Sequence, residues 1–171
     1  MHITQGAKER HTLSITVDNE AGVLARIAGM FTARGYNIES LTVADITEDE
    51  AISRITIVTS GTPEIIDQIH AQLERLVNVH RVTDLTELGP HVERELALVK
   101  VKGAGENRIE ALRLAEVYRA HVVDATTGSF IFEVTGTTEK VDKFLELMGE
   151  IGLVEVARTG VAAMARGKEI A

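Results

Sequence analysis

The chain predicts an α+β fold made of two consecutive ferredoxin-like βαββαβ units. Three observations carry this. Short alternating or β-branched stretches recur with helical stretches in the order strand, helix, strand, strand, helix, strand. A Gly89-Pro90 pair punctuates the chain near its middle, and the same order then restarts. The 171 residues accommodate two units of about 80 residues, a common small-domain size. The expected boundaries are 11–88 and 91–167, with tails at 1–10 and 168–171.

In the first unit, residues 12–18 alternate, with Leu13, Ile15 and Val17 set against Thr12, Ser14, Thr16 and Asp18, as a half-buried strand requires. Asn19-Glu20-Ala21-Gly22 is a turn in which Asn19 is the expected helix N-cap. Val23, Leu24, Ile27, Ala28 and Phe31 recur at helical spacing, and Gly35 stands where a left-handed C-terminal cap belongs. The stretch from Tyr36 to Ile46 is β-rich, and its apolar positions change parity between Ile38 and Leu41, which implies a bulge or bend. Glu48-Asp49-Glu50 is a polar turn before Ile52, Ile55 and Ile57 open another strand. Thr62-Pro63-Glu64 starts a helix, with a capping hydroxyl, a proline in the first turn and an acid at the positive helix end. Ile65, Ile66, Ile69, Leu73 and Leu76 form its apolar stripe, and a strand over 77–85 closes the unit.

The second unit repeats the order, with strands expected at 95–101, 121–125, 129–135 and 154–158 and helices at 107–119 and around Val141, Phe144, Leu145 and Met148. Each unit has two helices for four strands, enough to cover one sheet face. The other face or an edge is expected to stay open and to pair with another copy. The small-residue-rich stretch from Gly160 to Ala171 is expected to be partly disordered.

Composition narrows the function. The formal net charge is −8 and aromatic residues make up 4%, with no tryptophan. A nucleic-acid partner calls for a basic face and stacking platforms, so that class is disfavoured. The absence of cysteine removes disulfides, thiolate metal sites and cysteine nucleophiles, and suits a reducing cytoplasm. The first ten residues lack the apolar core of a signal peptide, and no run of about 18 apolar residues spans a membrane.

Catalytic constellations are not visible. The six histidines, at 2, 11, 70, 80, 91 and 121, show no metal-ligand spacing, and no Gly-x-Ser-x-Gly elbow occurs around Ser14, Ser53 or Ser129. Lys102-Gly103-Ala104-Gly105-Glu106-Asn107-Arg108 sits in the strand-to-helix context of a phosphate loop, but lacks both the third glycine and the Lys-Ser/Thr pair. The segment from Asp18 to Val23 is the stronger candidate. Free N–H groups and the helix dipole at a helix start favour a carboxylate, and Gly22 permits close approach to the backbone. Asn37 is polar amid apolar neighbours just after the first helix, and Asn19 and Asn37 are expected to meet one small zwitterion.

These residues carry a resemblance. Asp18-Asn19-Glu20-Ala21-Gly22-Val23-Leu24-Ala25-Arg26-Ile27, then Phe31, then Arg34-Gly35-Tyr36-Asn37-Ile38-Glu39-Ser40-Leu41, resembles the ACT domain of the acetohydroxyacid (acetolactate) synthase regulatory subunit family. His91-Val92-Glu93-Arg94-Glu95-Leu96 and Val154-Glu155-Val156-Ala157-Arg158-Thr159-Gly160 look like the C-terminal domain of that family. The resemblance implies a non-catalytic subunit of branched-chain amino-acid biosynthesis in the cytoplasm. Its partner would be a catalytic large subunit carrying thiamine diphosphate, Mg2+ and FAD, which it stimulates and makes sensitive to feedback by valine. It further implies a homodimer through ACT domains, with effector positions at Asn19, Ala21, Gly22, Val23, Asn37 and Ile38 and supporting positions at Ala44 and Gln68. No cofactor or metal is implied on this chain. The other readings are an ACT sensor for a different biosynthetic enzyme, a small stand-alone enzyme and an RNA-binding domain. The acidic charge opposes the last of these.

Overall fold

The computed structural model describes residues 7–171. Its elements run β1 (Glu9–Asp18), α1 (Val23–Ala33), β2 (Ser40–Asp45), β3 (Ile52–Gly61), α2 (Pro63–Glu74), β4 (Val79–Asp84), α3 (Leu85–Leu88) and β5 (His91–Lys102). They continue with α4 (Glu106–Val117), β6 (His121–Ala125), β7 (Ser129–Gly136), α5 (Thr138–Ile151), β8 (Leu153–Arg158) and β9 (Ala162–Ala165). The chain divides into two compact units. One holds the described residues up to Val92 together with Val161–Ala171, and the other holds Glu93–Gly160.

The first unit has an antiparallel sheet in the order β2-β3-β1-β4. Parity decides its faces. Leu13, Ile15 and Val17 of β1, Ile55 and Ile57 of β3 and Val82 of β4 point to one side. There they pack on Val23, Ile27, Met30 and Phe31 of α1 and on Ile66, Ile69 and Leu73 of α2. Leu24, placed by helical spacing in the buried stripe, is instead 41% exposed, and Met30 fills the core. The parity change around residues 38–41 is a bend: β2 begins only at Ser40, so Tyr36 to Glu39 precede the strand. At the start of α2, Pro63 occupies the first turn as expected, but the Thr62 hydroxyl does not cap the backbone. The Glu64 carboxylate accepts from its own N–H and from Thr62, and these two bonds lower its pKa.

The opposite face of this sheet is not open. Residues expected to be a partly disordered tail form β9 and an ordered end, and they lie with the first unit rather than with the second. Val161, Ala163 and Ala171 are buried against Val58 and Leu85. The Val161 N–H donates to Ser40 Oγ at 2.8 Å, Thr42 Oγ1 donates to the Val161 carbonyl at 2.7 Å, and Arg54 Nη2 donates to Ala171 O at 2.9 Å. The Arg166 N–H also reaches the Pro90 carbonyl at 3.1 Å. A row of small apolar residues thus serves as a cover, a role that periodicity cannot distinguish from a loose tail.

In the second unit, the strand path β6-β7-β5-β8 repeats the first unit's order. Ala97, Val99 and Val101 with Phe130, Phe132 and Val134 pack on Ala111 and Ala115 of α4 and on Val141, Phe144 and Met148 of α5. Among the described residues, no helix is long and apolar enough to cross a membrane.

Candidate functional site

β1 ends at Asp18, and the chain reaches α1 through a four-residue loop that closes on Gly22. Gly22 is the N-cap of α1 with φ +89°, a conformation that L side chains rarely adopt. A Cβ built there would meet nothing within 4 Å, so backbone conformation and not crowding selects glycine. No side chain caps α1, and its first turn holds no acid. Apart from the bond of the Val23 N–H to the Glu20 carbonyl at 3.3 Å, the first N–H groups keep their positive field for a neighbour or for solvent. Asn19 was the expected cap, but the helix starts too far downstream for it. Its N–H donates to the Ala51 carbonyl at 2.9 Å and its Nδ2 to the Glu50 carbonyl at 2.8 Å, which ties the loop to the β2–β3 turn.

A polar network flanks this loop. His80 Nε2 lies 2.5 Å from Asp18 Oδ1, and Asn78 Nδ2 donates to Asp18 at 3.2 Å and to Glu20 at 3.1 Å. Arg26 Nη1 donates to Asn78 Oδ1 at 2.6 Å. The bonds from His80 and then Asn78 hold the Asp18 carboxyl below the usual carboxylate range. Both acids beside the helix start therefore already have partners.

Asn37 is placed by the other end of α1. The Tyr36 N–H donates to the Phe31 carbonyl at 2.9 Å and the Gly35 N–H to the Thr32 carbonyl at 3.2 Å, the two bonds of a Schellman turn, with Gly35 at φ +68°. Its hydrophobic contact is the edge-on packing of Phe31 and Tyr36, whose ring centroids are 6.1 Å apart. Tyr36 Oη then donates to Gln68 Oε1 at 3.0 Å, so Gln68 supports the turn from α2. Thr59 Oγ1 donates to the Asn37 carbonyl at 2.6 Å, which leaves the exposed Asn37 side chain without a hydrogen-bond partner among the described residues. Ile38 is half-buried against the core. Ala44 is exposed on the edge strand β2, opposite Arg54.

These residues fall into two groups within one chain. Asn19 hydrogen-bonds at Ala51, next to the Ile52 end of β3, and Ala44 lies at that same end. Asn37 is held by Thr59 near the other end of the strand. Seven residues of extended chain separate Ile52 from Thr59, about 24 Å. Asn19 and Asn37 of one chain therefore do not meet one small zwitterion, contrary to expectation: the loops at the two ends of α1 are tied to opposite ends of β3.

The structure also assembles a cluster that sequence spacing concealed. His11, 5% exposed, places Nδ1 2.6 Å from Oδ2 of the buried Asp84, 73 residues away, and Nε2 3.3 Å from Glu9. Burial disfavours its charge, but the bond to and charge of Asp84, with Glu9 and Glu87, outweigh this and raise the His11 pKa. Possible ligand atoms of His11, Asp84 and Glu87 lie within 4.8 Å of one another. Asp84 Oδ1 already accepts from the N–H groups of Thr86 and Glu87, so the cluster reads as an ion pair pinning β1 to the start of α3. In the second unit, the Gly103 N–H of the loop resembling a phosphate site is used by the Gly128 carbonyl at 3.2 Å, and Arg108 stacks on Phe130 at 4.0 Å.

Comparison with known proteins agrees with this architecture. A family model described as an AHAS small subunit-like ACT domain matches residues 13–81, and one described as the small subunit of acetolactate synthase matches residues 94–167. A probable acetolactate synthase small subunit of Archaeoglobus fulgidus is 46% identical over 160 residues, covering 94% of this chain and 99% of the relative. The small subunit of acetolactate synthase isozyme 3 of Escherichia coli is 44% identical, with coverage of 94% and 98%. The crystal structure of the acetolactate synthase small subunit from Thermotoga maritima superposes with a TM-score of 0.83 at 37% identity, covering 94% of this chain and 99% of that one.

Proposed function

The chain belongs to the acetolactate synthase small-subunit family, and from that premise we propose that it is a valine-responsive regulator, stimulating a catalytic large subunit and transmitting feedback inhibition to it. The observation that carries the reading is the uncapped start of α1 behind Gly22, an N–H-lined end suited to an amino-acid carboxylate. Asn19, Ala21, Gly22 and Val23 form one side of the site, with Ala44 beside them. Asn37 and Ile38, held from behind by Gln68, form the other, and they reach the same ligand only from a second copy.

The sheet supplies a way to do this. β2 is an edge strand with a free side. Antiparallel pairing of β2 with β2 across a two-fold axis sets the beginning of one strand beside the end of the other. The partner's Asn37 then approaches this copy's Gly22 loop, and the symmetry generates two equivalent sites. The ligand ammonium would be met by asparagine oxygens or backbone carbonyls, because Asp18 and Glu20 are already engaged. A ligand gripped by two copies favours the paired state by its differential affinity, which is what a regulator needs. The thiamine diphosphate, Mg2+ and FAD of the reaction belong to the large subunit in this reading, in a cytoplasmic complex.

Calorimetry with valine, leucine and isoleucine tests the proposal directly. Valine is expected to bind with two sites per dimer. At 100 times Kd, ligand linkage adds about 2.7 kcal/mol of stability. No binding by any of the three would overturn the sensor reading.

A further inference from the structure

The chain passes between its two units twice, at Val92/Glu93 and at Gly160/Val161. After the second passage it does not hang free. Val161, the first residue back in the first unit, lands on the helix-free face of β2. Its N–H is accepted by Ser40 Oγ and its carbonyl receives Thr42 Oγ1, so one residue is held by two side chains of the edge strand. Arg54, the cross-strand neighbour of Ala44, holds the far end at Ala171. We infer that Val161–Ala171 is a strap that positions β2 for effector binding, with Ser40 and Thr42 as its positioning residues. This rests on the effector reading above.

The physical argument has two parts. An edge strand has neighbours on one side only, so backbone pairing with β3 fixes it less firmly than an inner strand. The Val161 clasp adds side-chain bonds from the sheet face and leaves the backbone edge of β2 free for a second copy. Secondly, β2 begins three residues after Asn37 and ends just beyond Ala44, so its placement sets the spacing of both halves of the proposed site. A strand held in place before the ligand arrives need not be ordered during binding, and preorganisation of this kind appears as affinity. Neither Ser40 nor Thr42 needs to touch the ligand.

The test uses the full chain reconstituted with its large subunit. Thr42→Val keeps shape and strand preference but removes the donor, and Ser40→Ala removes the acceptor for the Val161 N–H. Each variant is expected to weaken valine binding by calorimetry about three- to tenfold, on the scale of one lost hydrogen bond, with stimulation of the large subunit unchanged. Thr42→Ser, which restores the hydroxyl, should bring affinity back to within about twofold. If wild type binds valine and both folded variants bind it equally well, the strap is only a cover and the inference falls while the effector reading stands. Unfolding of both variants would also overturn it, by making the clasp a folding contact. If wild type binds none of the three amino acids, both readings fall together.

Discussion

Asn37 and His11 show how differently two polar residues of one domain are used. The Asn37 carbonyl is fixed by Thr59, but its side chain is exposed and bonds to no other described residue. Asn37→Ala should therefore leave the melting temperature within about 2 °C of wild type, as for ordinary surface substitutions. It should still raise the valine concentration for half-inhibition about tenfold, the scale of a lost ligand hydrogen bond. Inhibition curves of the reconstituted enzyme decide this, and a folded Asn37→Ala with wild-type sensitivity would displace the site. Asn19→Ala is a less clean probe, because it also cuts the tie to the Glu50 carbonyl. His11 works for stability. Its folded pKa is raised by Asp84 against the opposing effect of burial. Its ion pair therefore contributes fully below the unfolded value of about 6.5 and fades as pH rises through the higher folded value. His11→Leu strands a buried carboxylate and should cost about 3 kcal/mol near pH 6. Denaturant melts of both proteins across pH 5.5–8.5 should show the gap narrowing toward the alkaline end, and a constant gap would mean that folding does not change the His11 pKa.

Among the elements, α1 does the most. It supplies four buried core residues, presents an uncapped start to the proposed effector and ends in a Schellman turn that aims Asn37. The two glycines at its ends share a positive φ but serve different purposes. Gly35 closes the helix, so Gly35→Ala should lower stability by about 1 kcal/mol and disturb Asn37 two residues on. Gly22 opens onto empty space. Gly22→Asp therefore adds mild backbone strain and, more importantly, a negative charge where the proposed effector carboxylate would bind. Valine inhibition should be lost while stimulation of the large subunit survives. Joint loss of stimulation and inhibition in a folded Gly22→Asp protein would show that the two activities cannot be separated at this loop.

At the scale of the molecule, the proposed effector site, divided between the ends of a domain, would make regulation a property of a dimer. Sedimentation over a protein concentration series should show valine shifting the monomer–dimer balance toward dimer, and an unaltered balance would argue against a ligand shared between copies. The two units repeat one strand order with different finishes. In the first, the face away from the helices is covered by Val161, Ala163 and Ala171. In the second, Leu98, Lys100, Ile131, Glu155 and Ala157 line a surface cavity. The purified chain should turn over no pyruvate and should increase acetolactate formation when mixed with its large subunit. Turnover by the chain alone, or no stimulation of a verified cognate subunit, would refute the regulatory reading.

What the sequence determined by itself was local and periodic. Alternation in β1, helical spacing in α1 and α2, proline at the start of α2 and Gly35 at the end of α1 follow from each residue's own conformational preferences. Both βαββαβ orders were therefore legible, and β6 is found where it was expected. The loop of Asp18 to Val23 and the run through Asn37 were legible too, because glycine at a turn and a family-specific string are short-range signals. Three things were settled only by the folded chain, each through contacts between residues distant in sequence. Asn19 is not the cap because α1 begins only at Val23, behind Gly22, and the Asn19 Nδ2 instead donates to the Glu50 carbonyl, 31 residues on. His11 found Asp84 across the sheet. The C-terminal residues, too small and too weakly patterned to announce a strand, became β9 by pairing with β5, and became a cover by packing on Val58 and Leu85, all partners distant in sequence.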